Sequence, residues 1–352
     1  MNEYDQALRQ YLYQSMPIHY NALVMEITNR CNARCRICYQ SAGEQPCPQR
    51  IDLEAAKRCI REAAELETVG SRFHLAGGEA YLYPEDCFTL FRTARDAGFT
   101  MISTTTNGFW GRTLEKAREM CARMKESGVS SIELSADYWH GEFIPAESMS
   151  NCLRACREAE IEINLRLLTT KKHSMQEALQ RLSQDAVAGS HVITSGIVFA
   201  TGRAAEVLEP EEFYEMKGSI AGNCHDCLNL TVTSFGEVFP CCAGSDICRD
   251  FNFGNIREQS IRDIAAGMNK NPILRQLVFL GAGSFLPLLQ RAGVDFSTEN
   301  CFSMCQLCNR IFGSPTYLQA IRAEFDKAGE NALRRALERL EAMQKEQELH
   351  HA

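Results

Sequence analysis

Three closely spaced cysteines near the amino terminus are the strongest chemical signal in the sequence. Cys31, Cys35 and Cys38 form the pattern Cys-x3-Cys-x2-Cys directly after a short apolar segment. Three thiolates at these spacings can wrap one corner of an iron–sulfur cube and ligate three irons, which leaves the fourth iron open. A structural zinc site is the alternative, and it would recruit Cys47 as its fourth ligand. The spacing favours a cluster with one open iron.

A second group of cysteines lies in the last third of the chain. Its members are Cys224, Cys227, Cys241, Cys242, Cys248, Cys301, Cys305 and Cys308. Four or more thiolates gathered in this way should hold a further iron–sulfur cluster, with zinc as the competing metal. Disulfides are not expected, because a reducing cytosol does not maintain them and the polar start of the chain carries no secretory signal.

The elements that must position these thiols follow an alternating pattern. From residue 23 to about residue 200, β-rich segments alternate with helical periodicity, which predicts a parallel sheet covered by helices. Six strands are expected, at Leu23–Ile27, Phe73–Ala76, Phe99–Thr104, Ser131–Ser135, Ile161–Leu168 and His191–Phe199. Because eight units close a full barrel, the expected fold class is α/β, with an open partial (β/α)6 barrel of TIM type and a small carboxyl-terminal iron–sulfur domain.

The pattern also suggests domain boundaries and a set of core cysteines. We expect an amino-terminal segment (1–20), the partial barrel (21–206), a linker (207–223), the iron–sulfur domain (224–312) and a carboxyl-terminal helix (313–352). The first barrel helix should begin after Asp52, a good cap. Four cysteines fall on the buried faces of barrel helices, and we assign them to the core because free cysteine is a small, well-buried hydrophobe: Cys59, Cys121, Cys152 and Cys156.

Composition and charge exclude several classes of partner. Apolar residues make up 45% of the chain and charged residues 23%, as in ordinary globular proteins. A formal net charge of -8 argues against a general nucleic-acid or anionic-membrane surface, since both require clustered positive charge. The apolar run Leu277–Leu289 contains glycine and proline and is too short to span a bilayer. We therefore expect a cytoplasmic protein with neither nucleic acid nor membrane as its partner.

The early cysteine motif, followed by the aromatic Tyr39, resembles the signature of the radical S-adenosylmethionine (radical SAM) enzymes. The resemblance implies a [4Fe-4S] cluster whose open iron chelates the amino and carboxylate groups of SAM. It also implies reduction by a one-electron donor such as flavodoxin or ferredoxin, and cleavage of SAM to a 5′-deoxyadenosyl radical that abstracts hydrogen from the substrate. In such enzymes the cofactor carries the hard step, and the protein supplies orientation.

Further residues at predicted strand ends fit the same resemblance. Gly77, Gly78 and Glu79 resemble the segment that contacts the SAM amino group. Asn107, Ser135 and Asp137 are polar groups suited to the SAM carboxylate and ribose. Arg166 could pair with the SAM carboxylate, and a structural ion pair is the alternative. Ile197 lies on a strand that resembles the adenine-contacting strand, and a Gly202-Arg203-Ala204 turn follows it.

The later cysteines resemble the SPASM/Twitch extension of radical SAM enzymes. The resemblance rests on the hairpin pattern Gly236-x4-Cys241 and on the segment 253–256, Phe-Gly-Asn-Ile. It implies one auxiliary [4Fe-4S] cluster. Cys241, Cys305 and Cys308 are the expected ligands, with Cys227 or Cys224 as the fourth and Cys301 as a further alternative.

The doubled cysteine 241–242 suggests a second function for a thiol. Adjacent residues on an extended strand point to opposite faces, so if Cys241 binds a cluster, Cys242 should point elsewhere, into the barrel mouth. A thiol there could return a hydrogen atom to a carbon radical, because the S–H bond is weaker than most C–H bonds. A buried thiol or a spare ligand is the alternative.

Several strings resemble the radical SAM peptide epimerases, which convert L- to D-residues in ribosomally made peptides. They are 106–111 (Thr-Asn-Gly-Phe-Trp-Gly), 137–140 (Asp-Tyr-Trp-His), 236–242 and 305–308. The resemblance implies that Cys242 is the catalytic hydrogen-atom donor and that a precursor peptide is the partner. An assisting acidic residue of the family corresponds to Asn229 here. The alternatives are a maturase that forms a thioether or carbon crosslink or oxidises a side chain, and a non-enzymatic, zinc-stapled interaction protein.

Overall fold

A computed structural model of the chain describes residues 13, 15–43, 49–214, 222–224, 228–241, 248–298, 301 and 303–330. Cys227 and Cys242, which the sequence singles out, lie outside the described residues. So do Cys47, most of the predicted amino-terminal segment and the last part of the predicted carboxyl-terminal helix.

The fold is built on one sheet of eight strands in the order β6-β5-β4-β3-β2-β1-β7-β8. Six of them form the parallel sheet of the barrel: β1 (Tyr20–Glu26), β2 (Val69–Ala76), β3 (Met101–Thr106), β4 (Ser131–Ser135), β5 (Glu162–Thr169) and β6 (Val192–Ile197). The six predicted strands and the partial-barrel fold class are therefore confirmed. The bounds differ by up to four residues, at the start of β2, where residues 69–72 (Val-Gly-Ser-Arg) lack the apolar pattern that marks the rest of the strand.

The sheet continues beyond the barrel at the outer edge of β1. A short strand, β7 (Leu230–Val232), pairs parallel with β1, and β8 (Val238–Phe239) pairs antiparallel with β7. The hairpin turn that joins them includes Gly236 at φ +83°, a backbone conformation that favours glycine. The hairpin that precedes the cysteine pair is thus hydrogen-bonded to the strand that precedes the first cysteine motif.

Helices cover the outer face of the barrel and build the carboxyl-terminal part. Their bounds are α1 Leu53–Ala64, α2 Pro84–Ala97, α3 Leu114–Glu126, α4 Ala146–Glu158, α5 Met175–Gln180, α6 Gln184–Val187, α7 Arg203–Val207, α8 Ile261–Lys270, α9 Pro272–Leu280, α10 Leu286–Arg291 and α11 Met304–Phe312. Residues 315–330 are also helical. As predicted, α1 begins after Asp52, whose Oδ1 accepts a hydrogen bond from the Ala55 amide at 2.9 Å.

The largest core lies between the outer face of the sheet and the barrel helices. The four cysteines predicted to be core residues are at most 2% exposed, which confirms their burial: Cys59, Cys121, Cys152 and Cys156. This core extends across the hairpin to Leu230, Val232 and Val238 and onward to α8 and α9. A second core packs around Phe285 and Phe312, whose rings meet edge to face at 5.0 Å. No helix within the described ranges combines the length and apolarity needed to cross a membrane.

Candidate active site

The Cys31–Cys38 loop, called here the cluster loop together with residues 39–43, leaves the carboxyl end of β1. The Cys31 amide donates to Gly43 O at 3.0 Å, which closes the loop on itself. The Ala33 amide donates to Cys31 Sγ at 3.4 Å, and the Ala42 amide donates to Cys38 Sγ at 3.3 Å. Backbone N–H groups directed at cysteine sulfur favour the thiolate and are among the contacts that tune an iron–sulfur cluster.

Burial and nearby acidic groups disfavour the thiolate form of these cysteines when no metal is bound. Burial raises the pKa of Cys31 to about 12, and the nearby Glu79, Cys35 and Cys38 raise it further. Burial also raises the pKa of Cys38, although the amides of Ala42 and Gln40 oppose this effect. Since the thiolate is the form that ligates metal, binding of iron by these cysteines releases their protons. Among the described side chains, no three of His, Cys, Asp or Glu stand close enough to share a single metal ion.

An apolar shell packs against the buried side chains of the cluster loop. Cys35 and Ile37 are each 6% exposed, and they pack with buried residues from other elements: Trp139, Val198, Ala204, Leu208 and Phe213. Such a shell excludes water, which limits side reactions of a reactive intermediate and affects the potential of a cluster. The loop is therefore suited to a reactive cofactor.

The two glycines after β2 allow the backbone to lie directly against the base of the cluster loop. A Cβ on Gly77 would stand 2.7 Å from Thr28 O, and one on Gly78 would stand 2.2 Å from Arg30 O. Instead, the Gly78 amide donates to Thr28 O at 2.7 Å. We expected these glycines to admit a ligand, and the close approach that the structure records is to residues 28–30, which lead from β1 into the cluster loop.

Glu79 is a buried carboxylate, 1% exposed, that holds the end of β3. Its Oε1 accepts hydrogen bonds from Thr106 Oγ1 at 2.9 Å and from the Tyr81 amide at 3.1 Å, and its Oε2 accepts from the Asn107 amide at 2.8 Å. Burial raises its pKa to about 6, against the opposing effect of these hydrogen bonds. The carboxylate thus links the ends of two strands beside the cluster loop.

Asn107 contacts the cluster loop directly. Its Nδ2 donates to Asn32 Oδ1 at 2.9 Å and lies 3.9 Å from Cys31 Sγ, while its Oδ1 accepts from the Phe109 amide at 3.0 Å. This side chain therefore joins the third strand to the first cysteine.

Asp137 and His140 form a buried pair beyond β4. Asp137 is 1% exposed, and its Oδ1 lies 2.8 Å from His140 Nδ1. The other carboxylate oxygen, Oδ2, is buried without a hydrogen-bond partner among the described residues. Although burial opposes the charged form, Asp137 and the nearby Cys35 raise the pKa of His140 well above its usual range. The pair lies beside the cluster loop, with one carboxylate oxygen available to a ligand.

Arg166 and Ser135 face each other across the β4–β5 ladder, on the inner face of the sheet. Arg166 interacts with Glu133, whose Oε2 accepts from Asn164 Nδ2 at 3.1 Å. The same polar network includes His74, which lies 2.8 Å from Ser103 Oγ and 2.9 Å from Thr105 Oγ1. Ile197 ends β6 opposite Thr169. The predicted SAM residues thus line one edge and one face of the sheet.

The later cysteines gather around Cys308. Burial raises the pKa of Cys308 well above its usual range, and Cys224, Cys305 and Cys248 add to this effect. Cys241 follows β8 after one residue, Pro240. Cys301 Sγ accepts a hydrogen bond from Arg310 Nη1 at 2.9 Å. Cys248, only 2% exposed, belongs to the same group of thiols.

Comparisons with known proteins identify the family. Residues 25–199 match the model of the radical SAM superfamily, and residues 224–309 match the SPASM iron–sulfur cluster-binding domain. A curated relative from Bacillus subtilis, "Putative peptide biosynthesis protein YydG", is 26% identical over 305 residues, which cover 84% of this chain and 93% of the relative.

Two solved structures share the fold. Streptococcus suis SuiB bound to its precursor peptide SuiA aligns with a TM-score of 0.57 at 13% identity, over 88% of this chain and 81% of that one. Native anSMEcpe with bound AdoMet aligns with a TM-score of 0.54 at 14% identity, over 90% and 98%.

Both parts of the predicted cofactor set follow from these matches. The barrel uses SAM and a [4Fe-4S] cluster, and the SPASM domain binds auxiliary iron–sulfur clusters. This also removes the alternative of a non-enzymatic, zinc-stapled protein. The chain belongs to the radical SAM superfamily and is an enzyme with a SPASM domain.

Proposed function

We propose that this enzyme modifies a ribosomally made precursor peptide and that it converts an L-residue to the D-form. The peptide as substrate is supported by the likeness to YydG over most of both chains. The epimerisation itself is supported by the cysteine pair 241–242 and by the strings shared with peptide epimerases.

Cys31, Cys35 and Cys38 are the proposed ligands of the SAM-binding cluster. Backbone amides of their loop donate hydrogen bonds to two of the three sulfurs, and the apolar shell packs against the buried residues of the loop. When bound, the cluster and SAM supply a 5′-deoxyadenosyl radical, which removes the hydrogen atom from the substrate Cα. The chain's own residues bind, orient and shield these groups.

The residues that we propose to contact SAM lie along the same edge of the sheet. Asp137 Oδ2 has no partner among the described residues and can accept a hydroxyl or ammonium donor. Gly77, Gly78, Glu79 and Asn107 hold the neighbouring edge in place through the contacts described above, and Ser135, Arg166 and Ile197 complete the proposed set. Glu79 serves SAM mainly by fixing Asn107, since three internal donors already occupy its oxygens.

For the auxiliary cluster we propose Cys241, Cys305, Cys308 and Cys224 as ligands. Cys224 is proposed as the fourth ligand because it interacts with Cys308, and Cys227 stays the alternative. An external one-electron donor such as flavodoxin or ferredoxin would reduce the enzyme.

The observation that carries the epimerase proposal is the place of Cys241, the first member of the cysteine pair. Cys241 follows β8 after Pro240, and β7 of the same hairpin pairs with β1, which leads into the cluster loop. One sheet therefore supports both the proposed hydrogen-abstracting centre and the segment that precedes the proposed hydrogen donor in the sequence. We expect Cys242 to return a hydrogen atom from its thiol to the Cα radical, on the face opposite abstraction. This leaves a thiyl radical on Cys242, which one electron from the external donor and one proton convert back to the thiol.

The test uses the precursor peptide encoded beside the gene, coexpressed with the enzyme or with its Cys242→Ala variant. For the wild type we expect a peptide of unchanged mass that contains a D-residue, with one deuterium at Cα when the reaction runs in D2O. The variant should still cleave SAM but yield no D-residue, while Cys59→Ala, a core substitution, should behave as wild type. A wild-type product two hydrogens lighter would instead identify an oxidase or crosslinking maturase.

A further inference from the structure

The turn that follows β6 is hydrogen-bonded to the cluster loop through Arg203. Its guanidinium Nη1 donates to Cys35 O at 2.8 Å, and its Nη2 donates to Ser41 O at 2.8 Å and to Ala42 O at 2.6 Å. The Arg203 amide donates to Cys38 O at 2.9 Å. One residue therefore binds four carbonyl groups of the cluster loop.

The cluster loop needs such an anchor because it contains little regular structure. Its internal backbone contacts include Cys38 to Cys35 O at 3.1 Å and Ser41 to Cys38 O at 3.2 Å. Ser41 adopts φ +51°, a conformation that serine rarely takes without support from its surroundings. Arg203 connects Cys35 to Ser41, since its planar guanidinium carries N–H donors that reach both ends of the 35–42 segment.

Gly202 allows the turn to come close enough for these hydrogen bonds. It adopts φ +53° and ψ -140°, and a Cβ at this position would stand 2.0 Å from Tyr39 O and 2.7 Å from Cys38 O. Only a residue without a side chain allows the turn to lie so close to the cluster loop.

The charge of Arg203 lies against the cluster loop, because its guanidinium donates to the carbonyl of the second cysteine, Cys35, at 2.8 Å. Its three side-chain acceptors are neutral carbonyls, so these hydrogen bonds leave its positive charge uncompensated. A positive charge beside a cluster stabilises the reduced, more negative state and raises the reduction potential.

We propose that Arg203 is a positioning residue that holds the cluster loop in its metal-binding conformation and raises the reduction potential of the cluster bound there. The proposal rests on the assignment of Cys31, Cys35 and Cys38 as ligands. It implies that the turn after β6, which borders the proposed SAM site, contributes to the stability of the cluster.

Two variants separate the geometric effect from the charge. Arg203→Ala removes both the guanidinium hydrogen bonds and the charge, whereas Arg203→Lys keeps the charge but loses the forked set of guanidinium donors. Arg36→Ala is the matched control, because Arg36 is also an arginine at the cluster loop but its Nη2 donates outward to Val207 O at 3.0 Å. The full-length enzyme is reconstituted anaerobically, and the SAM-sensitive EPR signal identifies the barrel cluster separately from the auxiliary one.

The first readout is the rate at which an Fe²⁺ chelator abolishes the SAM-sensitive signal. We expect about a tenfold faster loss in Arg203→Ala, by analogy with the effect of other outer-shell contacts on metal affinity, and an intermediate rate in Arg203→Lys. A redox titration should give a lower midpoint potential for Arg203→Ala and an unchanged one for Arg203→Lys and Arg36→Ala.

Wild-type retention and potential in Arg203→Ala would overturn the proposal. If that variant does not fold, Arg203→Lys decides, because retention equal to wild type would show that the fork is not needed. A wild-type enzyme without any SAM-sensitive signal would instead contradict the ligand assignment itself, so the two failures are distinguishable.

Discussion

The Glu79 carboxylate accepts the Asn107 backbone amide at 2.8 Å, which ties the segment after β2 to the end of β3. Asn107 in turn contacts Asn32 within the cluster loop. A carboxylate that is 1% exposed thus fixes the geometry of a neighbouring backbone beside the first cysteine.

This contact predicts that Glu79→Gln weakens SAM binding. The amide keeps one acceptor, but its NH2 group would face a backbone N–H, so one hydrogen bond is lost and a buried donor is left unsatisfied. Hydrogen bonds to charged groups contribute about 1.5–3 kcal/mol, and we expect a loss of SAM affinity of at least about tenfold, measured by equilibrium dialysis with the reconstituted enzyme. Glu85→Gln, which affects an exposed pair with Arg123, is the control; equal affinities in both variants would refute the role of Glu79.

The polar network on the inner face predicts a pH dependence of stability. Burial, and to a lesser extent Arg72, lowers the pKa of His74 from 6.5 to about 4. The unfolded chain therefore binds a proton that the folded chain rejects, and stability falls as the pH drops below about 6.5. From pH 7 to pH 5 this contribution amounts to a loss of about 2 kcal/mol.

Urea unfolding of the cluster-free wild type and of His74→Gln at pH 7 and pH 5 measures this effect. The loss of unfolding free energy on acidification should be about 2 kcal/mol smaller in the variant, because glutamine can bond Ser103 and Thr105 without titrating. Glu79 acts in the opposite direction, since its pKa is raised to about 6, but it is common to both proteins. An identical pH dependence in the two would show that His74 titrates normally.

The group of thiols around Cys308 predicts which early SPASM cysteine is a ligand. Cys224→Ala should lose the auxiliary cluster, and with it about four of the eight irons expected for two cubes, while the SAM-sensitive EPR signal persists. Cys227→Ala should retain full iron content if Cys224 is the ligand. The reverse pattern would assign the ligand to Cys227, and Cys121→Ala controls for loss of an unrelated thiol.

The barrel was predictable from the sequence because its strands and helices are long enough to show periodicity. The hairpin and its turn were predictable too, but the pairing of β7 with β1 was not, because strands of three and two residues carry no signal of their partner. The cap at Asp52 was predictable from local chemistry alone.

The contacts within the site were less predictable than its location. Gly77 and Gly78 were recognised, but their closeness to Thr28 and Arg30 depends on how two strand ends meet in space. The same is true of Arg203, which lies 165 residues beyond Cys38 in the sequence and bonds its carbonyl. Such long-range contacts leave no periodic trace in the sequence.

The central claim is that Cys31, Cys35 and Cys38 hold a cluster whose open iron binds SAM. Its most direct test is EPR spectroscopy of the dithionite-reduced enzyme with and without SAM, together with 5′-deoxyadenosine production, in the wild type and in a variant with all three cysteines replaced by alanine. We predict a signal that SAM changes and 5′-deoxyadenosine in the wild type, and only a SAM-insensitive auxiliary signal without 5′-deoxyadenosine in the variant. SAM cleavage by the variant, or a reconstituted wild type whose spectrum SAM leaves unchanged, would contradict the account.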